Sequence, residues 1–383
     1  MPYAMFKCIL FTICLLVFLS LKTTMAAEIA LSGYLKKYFI VSKTSAFFPP
    51  EKSYLLDFNR FRFQFDGTVS DSVSFNVQYD NEILLGDYLQ TNEFIFGFEN
   101  RQPDTRFDLQ QNYLDNKAIF GRHRVYRAYV DIALPQIDLR VGRQRIAWGT
   151  AMMWNPMDIL NPFDPIQLER QEREGIDAAL LDWNLGDLSR LSLVYASQLS
   201  GDSGAARWRT NVNEFDFSLM AGQFRGDTIG GFDFAGQILN MGIRGEVTRT
   251  ESVNYGVFTR AVVGADYTFA NTLSFNVELY FNGEGKADVL EYQFARLFSG
   301  EIQSLARRYA GLYMSYEFTP LLTWNSFLIA NLDDGSIFSS PNLVYSVSDN
   351  AELAVGLQSF TGDEGGEFSG FNNVYYIQFQ LFY

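Results

Sequence analysis

The hairpin RHRVYRAYVDIAL (residues 122–134) and IDLRVGRQRIAWG (137–149) decides how the rest of the chain is interpreted. Pro135-Gln136 separates the two runs, and a short turn between alternating apolar and polar residues is typical of a β-hairpin. A segment without apolar periodicity, AMMWNPMDILNPFDPIQLERQEREG (151–175), follows before alternation resumes at Ile176. A connection of about 26 residues between paired strands is uncommon and usually functional. We predict a long loop on a large β-barrel, folded across or over the lumen.

The same alternation recurs along nearly the whole chain. Val73, Phe75, Val77 and Tyr79 alternate with polar residues, and so do Leu273 to Phe281. Because successive side chains of a strand point to opposite faces, each run has one lipid-compatible face and one polar face. A soluble β-sandwich would show the same alternation, but it seldom extends over so long a chain without a domain linker, and the sequence shows none.

The alternating runs predict an all-β fold, a transmembrane antiparallel up-and-down barrel of about 18 strands. The count falls to about 16 if no hairpin forms between residues 200 and 213. The expected strands lie near 28–41, 53–66, 72–84, 121–134, 137–148, 175–185, 189–199, 204–211, 214–224, 227–237, 241–250, 254–269, 272–282, 306–318, 321–332, 336–347, 350–361 and 371–383. The long connections, near 85–120, 149–174, 283–305 and 362–370, all fall on one side of this count. Short periplasmic turns and long outer loops are typical of outer-membrane barrels.

The N-terminal 26 residues have the pattern of a secretory signal peptide. Lys7 precedes the apolar run CILFTICLLVFLSL, and Thr24-Met25-Ala26 offers a small-residue cleavage site. An uncleaved anchor helix is the alternative, but the apolar run has about 14 residues and a membrane span needs about 20. We therefore expect residues 1–26 to be removed and residues 27–383 to form a single barrel domain.

The composition argues against several functional classes. A net charge of −14 disfavours nucleic acid as a partner, because phosphates require basic patches. Cys8 and Cys14 leave with the signal segment, so neither disulfides nor thiolate metal sites are expected. His123 is the only histidine and has no serine beside it, so we expect no enzyme, no cofactor and no transition-metal site. A calcium ion held by carboxylates of the acidic loops remains open.

The last strand, VYYIQFQLFY, ends on Tyr383 with Ile377, Phe379 and Leu381 on the same face. This ending resembles the terminal aromatic strand that the outer-membrane assembly machinery recognises. The chain also contains 36 Phe and 21 Tyr, a large apolar surface for which membrane lipid is the natural partner. These features predict insertion into a bacterial outer membrane.

Two sets of residues are candidates for the functional site, and both follow from the predicted faces and from the long loop. The pore-lining candidates are Arg60, Arg62, Arg127, Asp131, Asp138, Arg140, Gln144, Arg260 and Glu278. The constriction-loop candidates are Trp148, Trp154, Asn161, Asp164, Arg170 and Arg173. We expect Arg170, Arg173 and the acids beside them to pair with lumen charges such as Arg140 and Asp138. The charges either form a mutually paired ladder that supports a water-filled wall or orient a solute carrying carboxylates or hydroxyls.

The segments RVGRQRIAWG, NPMDILNPFDP and ERQEREGIDAALL resemble a group of uncharacterised Gram-negative outer-membrane barrels related to alginate-export and porin families. The matching positions are Gly142, Arg143, Gln144, Trp148, Gly149, Asn161, Pro162 and Asp164. The resemblance implies a passive outer-membrane channel whose loop folds inward. Our first hypothesis is a channel that passes a hydrophilic solute or forms the outer exit of an export system with an inner-membrane exporter. A loop-closed barrel with a binding or structural role and, third, a barrel hydrolase using His123 are the alternatives.

Overall fold

The alternating runs form long antiparallel strands in the computed structural model, which describes residues 28–100, 103–161, 166–169 and 172–383. The expected signal segment lies outside these residues. The strands are β1 (Glu28–Lys43), β2 (Ser53–Ser70), β3 (Val73–Gly86), β4 (Gln110–Asp115), β5 (Ile119–Ala133), β6 (Ile137–Gln144), β7 (Ile176–Asn184), β8 (Ser189–Ser197), β9 (Ser203–Val212), β10 (Phe215–Phe224), β11 (Asp227–Ile238), β12 (Met241–Ser252), β13 (Gly256–Thr268), β14 (Ser274–Asn282), β15 (Arg308–Thr319), β16 (Leu322–Asn331), β17 (Ile337–Ser348), β18 (Ala351–Thr361) and β19 (Val374–Phe382).

Eighteen of these strands close into a barrel in which neighbours along the chain pair antiparallel. β1 pairs with β2 on one side and with β19 on the other, and β3 pairs directly with β5. The predicted all-β barrel of about 18 strands is confirmed. The hairpin of β9 and β10, on which the count depended, is present. Closure leaves the barrel sheet without an unpaired edge.

The two faces of each barrel strand differ in chemistry as the alternation predicts. On β2, Phe61, Phe63 and Phe65 are exposed on the outer face, whereas Arg60 and Arg62 between them are buried inside. β14 repeats the pattern, with exposed Val277, Leu279 and Phe281 alternating with buried Asn276, Glu278 and Tyr280. The period of two residues in a strand is the physical cause.

Short turns join the strands at the end where β1 begins, and long connections lie at the opposite, outer end. The connection after β3 contains the helical turns Asp87–Gln90, Asn92–Phe94 and Ile95–Glu99. The connection after β14 contains Val289–Glu291 and Phe294–Phe298. At the β9–β10 turn, Asn213 and Glu214 have φ angles of 53° and 69°, which is the left-handed geometry of tight hairpin turns.

None of the helices in the described part of the chain is both long enough and apolar enough to cross a membrane.

The connection predicted for residues 85–120 is not entirely loop, because it contains strand β4. This strand pairs with residues 120–124 of β5, whereas β6 pairs only with Ala128–Ala133 lower down. β6 is short because the chain leaves the wall after Gln144, so β4 takes the vacant pairing edge of β5. Its exposed residues show no alternation, so the sequence pattern could not reveal it.

Candidate functional site: the loop inside the barrel

We call the long connection between β6 and β7, residues 145–175, the crossing loop, and its described residues (145–161, 166–169 and 172–175) lie inside the barrel. Gly142 near its start has a φ of 130°, and a Cβ there would lie 2.2 Å from the carbonyl oxygen of Ala128. Only glycine accepts that backbone geometry so close to a neighbouring strand. The Gln144 amide then donates to the carbonyl oxygens of Ala178 (3.0 Å) and Arg140 (3.2 Å), which fixes the point where the chain turns inward.

Two glutamates of the opposite wall hold the first half of the crossing loop. Glu246 on β12 accepts hydrogen bonds from the backbone N–H groups of Thr150 (2.5 Å), Ala151 (2.7 Å) and Met157 (3.0 Å). Glu278 on β14 accepts from those of Met152 (2.6 Å), Met153 (2.9 Å) and Trp154 (3.3 Å). Hydrogen bonds to an ionised acceptor are among the stronger ones in proteins. Six N–H groups that have left regular structure are satisfied in this way.

Apolar side chains of the same segment fill recesses in the wall. Met153 and Met157 are fully buried. A Cβ on Gly311 would lie 2.3 Å from the sulfur of Met153, and one on Gly231 would lie 2.3 Å from that of Met157. Trp154 stacks on Tyr280 with ring centroids 5.3 Å apart. Burial of each large apolar side chain contributes roughly 1.5–3 kcal/mol, so this packing holds the loop on the wall together with the glutamates.

The second half of the crossing loop runs along a row of cations that we call the basic row: Lys36 on β1, Arg60 and Arg62 on β2, and Arg124 on β5. Glu169 pairs with Lys36 (3.1 Å) and Arg60 (2.9 Å). Glu172 pairs with Arg62 (2.9 Å) and accepts a hydrogen bond from the hydroxyl of Tyr34 (2.7 Å). Glu174 pairs with Arg124 (3.2 Å). The loop therefore contacts opposite sides of the barrel.

Two wall carboxylates share the basic row with the loop. Asp80 accepts from Arg62 at 2.6 Å, and Glu82 from Arg60 at 2.9 Å. Burial would raise the pKa of Glu172, but Arg62, Arg60 and Lys36 hold it below its ordinary value, so this carboxyl is ionised. Removing one member of such a buried network leaves an uncompensated charge, which is strongly destabilising.

Asn161 and Asp158 join the two ends of the crossing loop. The Asn161 side chain accepts from the N–H of Ile146 (2.7 Å) and donates to the carbonyl oxygen of Glu174 (2.6 Å). Asp158 pairs with Arg173 at 2.5 Å. Burial nevertheless raises the pKa of Asp158 to about 7, although Arg173 and Arg145 act in the opposite direction.

Three arginines meet beside this junction, and we call them the arginine cluster: Arg127, Arg145 and Arg173. Arg127 donates to the carbonyl oxygen of Arg173 at 3.4 Å. Burial, with repulsion from Arg173, lowers the pKa of Arg145. Among the described residues, the Nε atoms of Arg127 and Arg145 and the Oδ1 atom of Asp158 are buried without a hydrogen-bond partner. The cluster thus retains unused donors inside the barrel.

The pore-lining candidates lie on inward strand faces, but they differ in surroundings. Arg60, Arg62 and Glu278 are bound to the crossing loop, Gln144 is hydrogen-bonded to Arg140 and Ala178 where the loop begins, and Arg127 is part of the arginine cluster. Arg140 pairs with Asp131 at 2.6 Å, and Arg260 with Glu284 of the connection after β14. Asp138 is exposed near the β5–β6 turn.

The acids beside Arg173 pair with lumen charges, as expected, but with Lys36, Arg60 and Arg62 rather than with Arg140. Arg173 itself contacts Asp158 in the loop. Arg140 instead takes Asp131, which lies directly opposite it on β5. A cross-strand neighbour is already at contact distance, so the local pair forms in preference to one with a distant loop.

Among the constriction-loop candidates, Trp148 and Trp154 are buried against the wall, and Asn161 and Arg173 make the contacts given above. Asp164 and Arg170 lie outside the described residues, as does Pro162. The site also contains five residues that are not among the candidates: Lys36, Glu82, Glu246, Asp158 and Glu169. The alternation along the strands places Lys36, Glu82 and Glu246 on the inner face. No sequence signal indicates which of the inward charges the loop contacts.

The described residues contain no group of three or more His, Cys, Asp or Glu side chains arranged to hold a metal ion. His123 lies on the outer face of β5, with its ring 5.8 Å from each of the rings of Tyr79 and Tyr113.

Solved structures with the same fold are numerous, whereas no family model and no curated protein matches the chain. The OccK5 (OpdH) structure of Pseudomonas aeruginosa has a TM-score of 0.58 at 9% identity, covering 93% of this chain and 98% of that one. The OccAB3 structure of Acinetobacter baumannii has a TM-score of 0.58 at 11% identity, covering 93% and 99%. The OpdK structure of P. aeruginosa with vanillate has a TM-score of 0.56 at 10% identity, covering 93% and 98%. The chain therefore has the fold of a porin-type outer-membrane barrel. These similarities do not test the relation to alginate-export barrels.

Proposed function

We propose that this protein is an outer-membrane channel for a hydrophilic solute and that the crossing loop narrows its lumen. The observation that carries the proposal is the attachment of one loop to opposite inner walls, through Glu246 and Glu278 on one side and the basic row on the other. The apolar outer face of the closed barrel is suited to lipid, and the inner face is polar. Such a barrel needs no catalytic group to pass a solute.

The arginine cluster is our candidate for the part of the channel that orients the solute. The buried Nε donors of Arg127 and Arg145 lack hydrogen-bond partners, and guanidinium groups match carboxylates in bidentate geometry. Three arginines with one aspartate, Asp158, leave a local excess of positive charge. Vanillate, present in the similar OpdK structure, also carries a carboxylate. We therefore propose a solute with a carboxylate group.

Planar-bilayer recording tests both parts of the proposal. The purified protein should show discrete conductance steps, and a small aromatic carboxylate should reduce the current in a concentration-dependent manner. Arg127→Gln with Arg145→Gln should weaken that block at least several-fold. Arg190→Gln serves as the matched control, because Arg190 is exposed at the start of β8, beside the short turn from β7. A folded barrel without conductance steps would contradict the channel.

A loop-closed barrel with a binding or structural role is the second candidate. The observation in its favour is how completely the inner charges are covered: Asp80 and Glu278 have no exposed surface. In that case the bilayer recordings would show no steps in the wild type, and steps would appear only after the crossing loop is shortened.

A further inference from the structure

A polar patch interrupts the apolar outer wall of the barrel where β1 and β2 pair. It consists of Lys37, Asp57 and Asn59, and we call it the Lys37 patch. Odd-numbered residues of β1 and β2 point outward, as the exposed residues of both strands show. Lys37 lies opposite Asn59 in the strand register, and Phe39 lies opposite Asp57 two positions further along the strands, on the same face. The patch is therefore on the side of the wall that faces away from the lumen.

Exposed apolar side chains surround the Lys37 patch. They are Phe39 and Val41 on β1, Leu55 and Phe61 on β2, and Ile377 on β19. Lys37 is six positions before the outer end of β1 and pairs with Phe379 of β19, four residues before the end of the chain. The other outward-facing charges in the barrel strands, such as Lys43, Arg249, Glu251 and Arg308, lie within four residues of an outer strand end. The patch is thus within the apolar belt rather than at its rim.

The chemistry of the patch fits poorly with lipid. The ammonium of Lys37 contacts the two Asp57 oxygens at 2.8 and 2.9 Å and Asn59 Oδ1 at 3.1 Å, so it uses two partner side chains for its three N–H donors. About 30% of the Lys37 side chain and 24% of the Asp57 side chain remain exposed. Ionisable groups in contact with hydrocarbon are rare and usually meet a partner there.

A group of aromatic side chains lies on the outer wall near the patch. The ring of Tyr383 lies over Gly33, where a Cβ would be 2.7 Å from the hydroxyl oxygen, and this hydroxyl donates to the carbonyl oxygen of Arg62 at 2.8 Å. Phe63 contacts both Tyr383 and Tyr79 through ring pairs with centroids 6.2 and 6.5 Å apart. Such a group of rings offers apolar contact area, and aromatic residues are enriched in protein interfaces.

We propose that the Lys37 patch is the centre of a contact between two copies of this chain. Two copies inserted in the same direction can be related by a two-fold axis parallel to the barrel axes. Rotation about this axis keeps each residue at the same depth in the membrane and moves it to the other side of the axis. An axis passing between Lys37 and Asp57 places each ammonium beside Asp57 of the partner subunit. One ion pair then becomes a ring of four alternating charges.

The arrangement of charges in the Lys37 patch favours a second copy of the chain over lipid as the contact partner. A cation and an anion side by side, at nearly equal height, match themselves under that rotation without any further residue. An acyl chain offers no acceptor for Lys37, and a lipid phosphate next to the ammonium would also approach the carboxylate of Asp57. A second barrel adds an opposite charge beside each member of the Lys37–Asp57 pair and covers the aromatic side chains around them.

Cysteine cross-linking and particle mass test this contact. In the full chain with Cys8 and Cys14 replaced by serine, Phe39→Cys places a thiol at the edge of the patch. Val263→Cys, exposed on β13 of the opposite wall, is the matched control. Under mild oxidation in native membranes, Phe39→Cys should give a band of twice the chain mass, and Val263→Cys should give at least tenfold less. Light scattering of the wild type in detergent should likewise give two copies.

The variant Lys37→Leu with Asp57→Leu separates a partner from lipid. If two copies meet here, the variant should run as a single copy while remaining heat-modifiable. If the patch faces lipid, the variant should keep the wild-type mass and unfold at a higher temperature, because two charges have left the apolar belt. That second result, or equal cross-linking of the two cysteine variants, would overturn the proposal. Should the variant fail to fold, the cysteine result decides.

Discussion

Single carboxylates determine where the crossing loop lies. Glu246 and Glu278 each receive three backbone N–H groups, which a neutral side chain of the same size could not satisfy equally. Both are inward-facing residues of alternating strands, so the alternation does not distinguish them from other inward-facing polar residues. Their role becomes visible only when the loop, more than 90 positions earlier in the chain, is placed against them.

Glu278→Gln should loosen the first half of the crossing loop. The amide retains one acceptor oxygen but turns an NH₂ group toward backbone donors, and an unsatisfied buried donor costs about 1–3 kcal/mol. We expect noisier single-channel current and faster cleavage at Met152–Trp154 by an added protease, with the barrel intact. Glu317→Gln, on the inner face of β15 and exposed, is the control. If the protease cleaves the two variants at the same rate, Glu278 does not hold the first half of the crossing loop.

Asp158 should make stability depend on pH. Its pKa in the folded protein is about 7, above the ordinary value near ~4, so the folded state binds this proton more tightly than the unfolded state. The contribution is fully present below about pH 4 and is lost as pH rises through about 7, with a slope of up to about 1.4 kcal/mol per unit. Asp158→Asn should flatten the pH profile of the urea midpoint between about pH 5 and 7. Parallel profiles for variant and wild type would contradict the assignment.

At the scale of elements, alternation and turn residues predict nearly all of the barrel. The predicted strand 121–134 is observed as Ile119–Ala133, and the predicted 272–282 as Ser274–Asn282. Strand β4 was missed because its partner edge becomes available only when β6 ends early. The loop contacts were not predictable for a related reason. Many of them join residues far apart in the chain, such as Met152 and Glu278, which are 126 positions apart, and no pattern within a single strand predicts such contacts.

Deleting residues 152–168 should raise single-channel conductance. The deletion removes the segment bound to Glu278 and leaves residues 145–151 and 169–175 as an ordinary connection between β6 and β7. No barrel strand loses a hydrogen-bonded neighbour, so heat-modifiable migration on gels should persist. The measurement is the conductance in planar bilayers, compared with wild type at equal salt. Unchanged conductance of a folded deletion variant would place the loop outside the permeation path.

For the molecule as a whole, closure explains why the polar and apolar residues can be separated so completely. The β1–β19 seam pairs Tyr34 with Phe382, and Gly33 and Tyr383 exchange backbone hydrogen bonds of 3.0 and 3.1 Å. Every barrel strand then has two neighbours, so backbone polar groups need no water on the outer face. The unboiled protein in detergent should therefore migrate faster than the boiled protein.

The two faces of the wall should respond differently to the same substitution. Val277 is exposed on the outer face of β14, whereas Gln78 lies on the inner face of β3. Val277→Arg should destabilise the barrel in lipid by roughly 2–4 kcal/mol, because the guanidinium must leave water. Gln78→Arg places the same group in a polar interior beside Asn76 and Asp80, so its main effect should be on conductance and ion selectivity. Urea unfolding of both variants in lipid vesicles measures the difference. Equal destabilisation would mean that the outer face does not meet lipid at Val277, and a channel in the outer membrane would lose its main physical support.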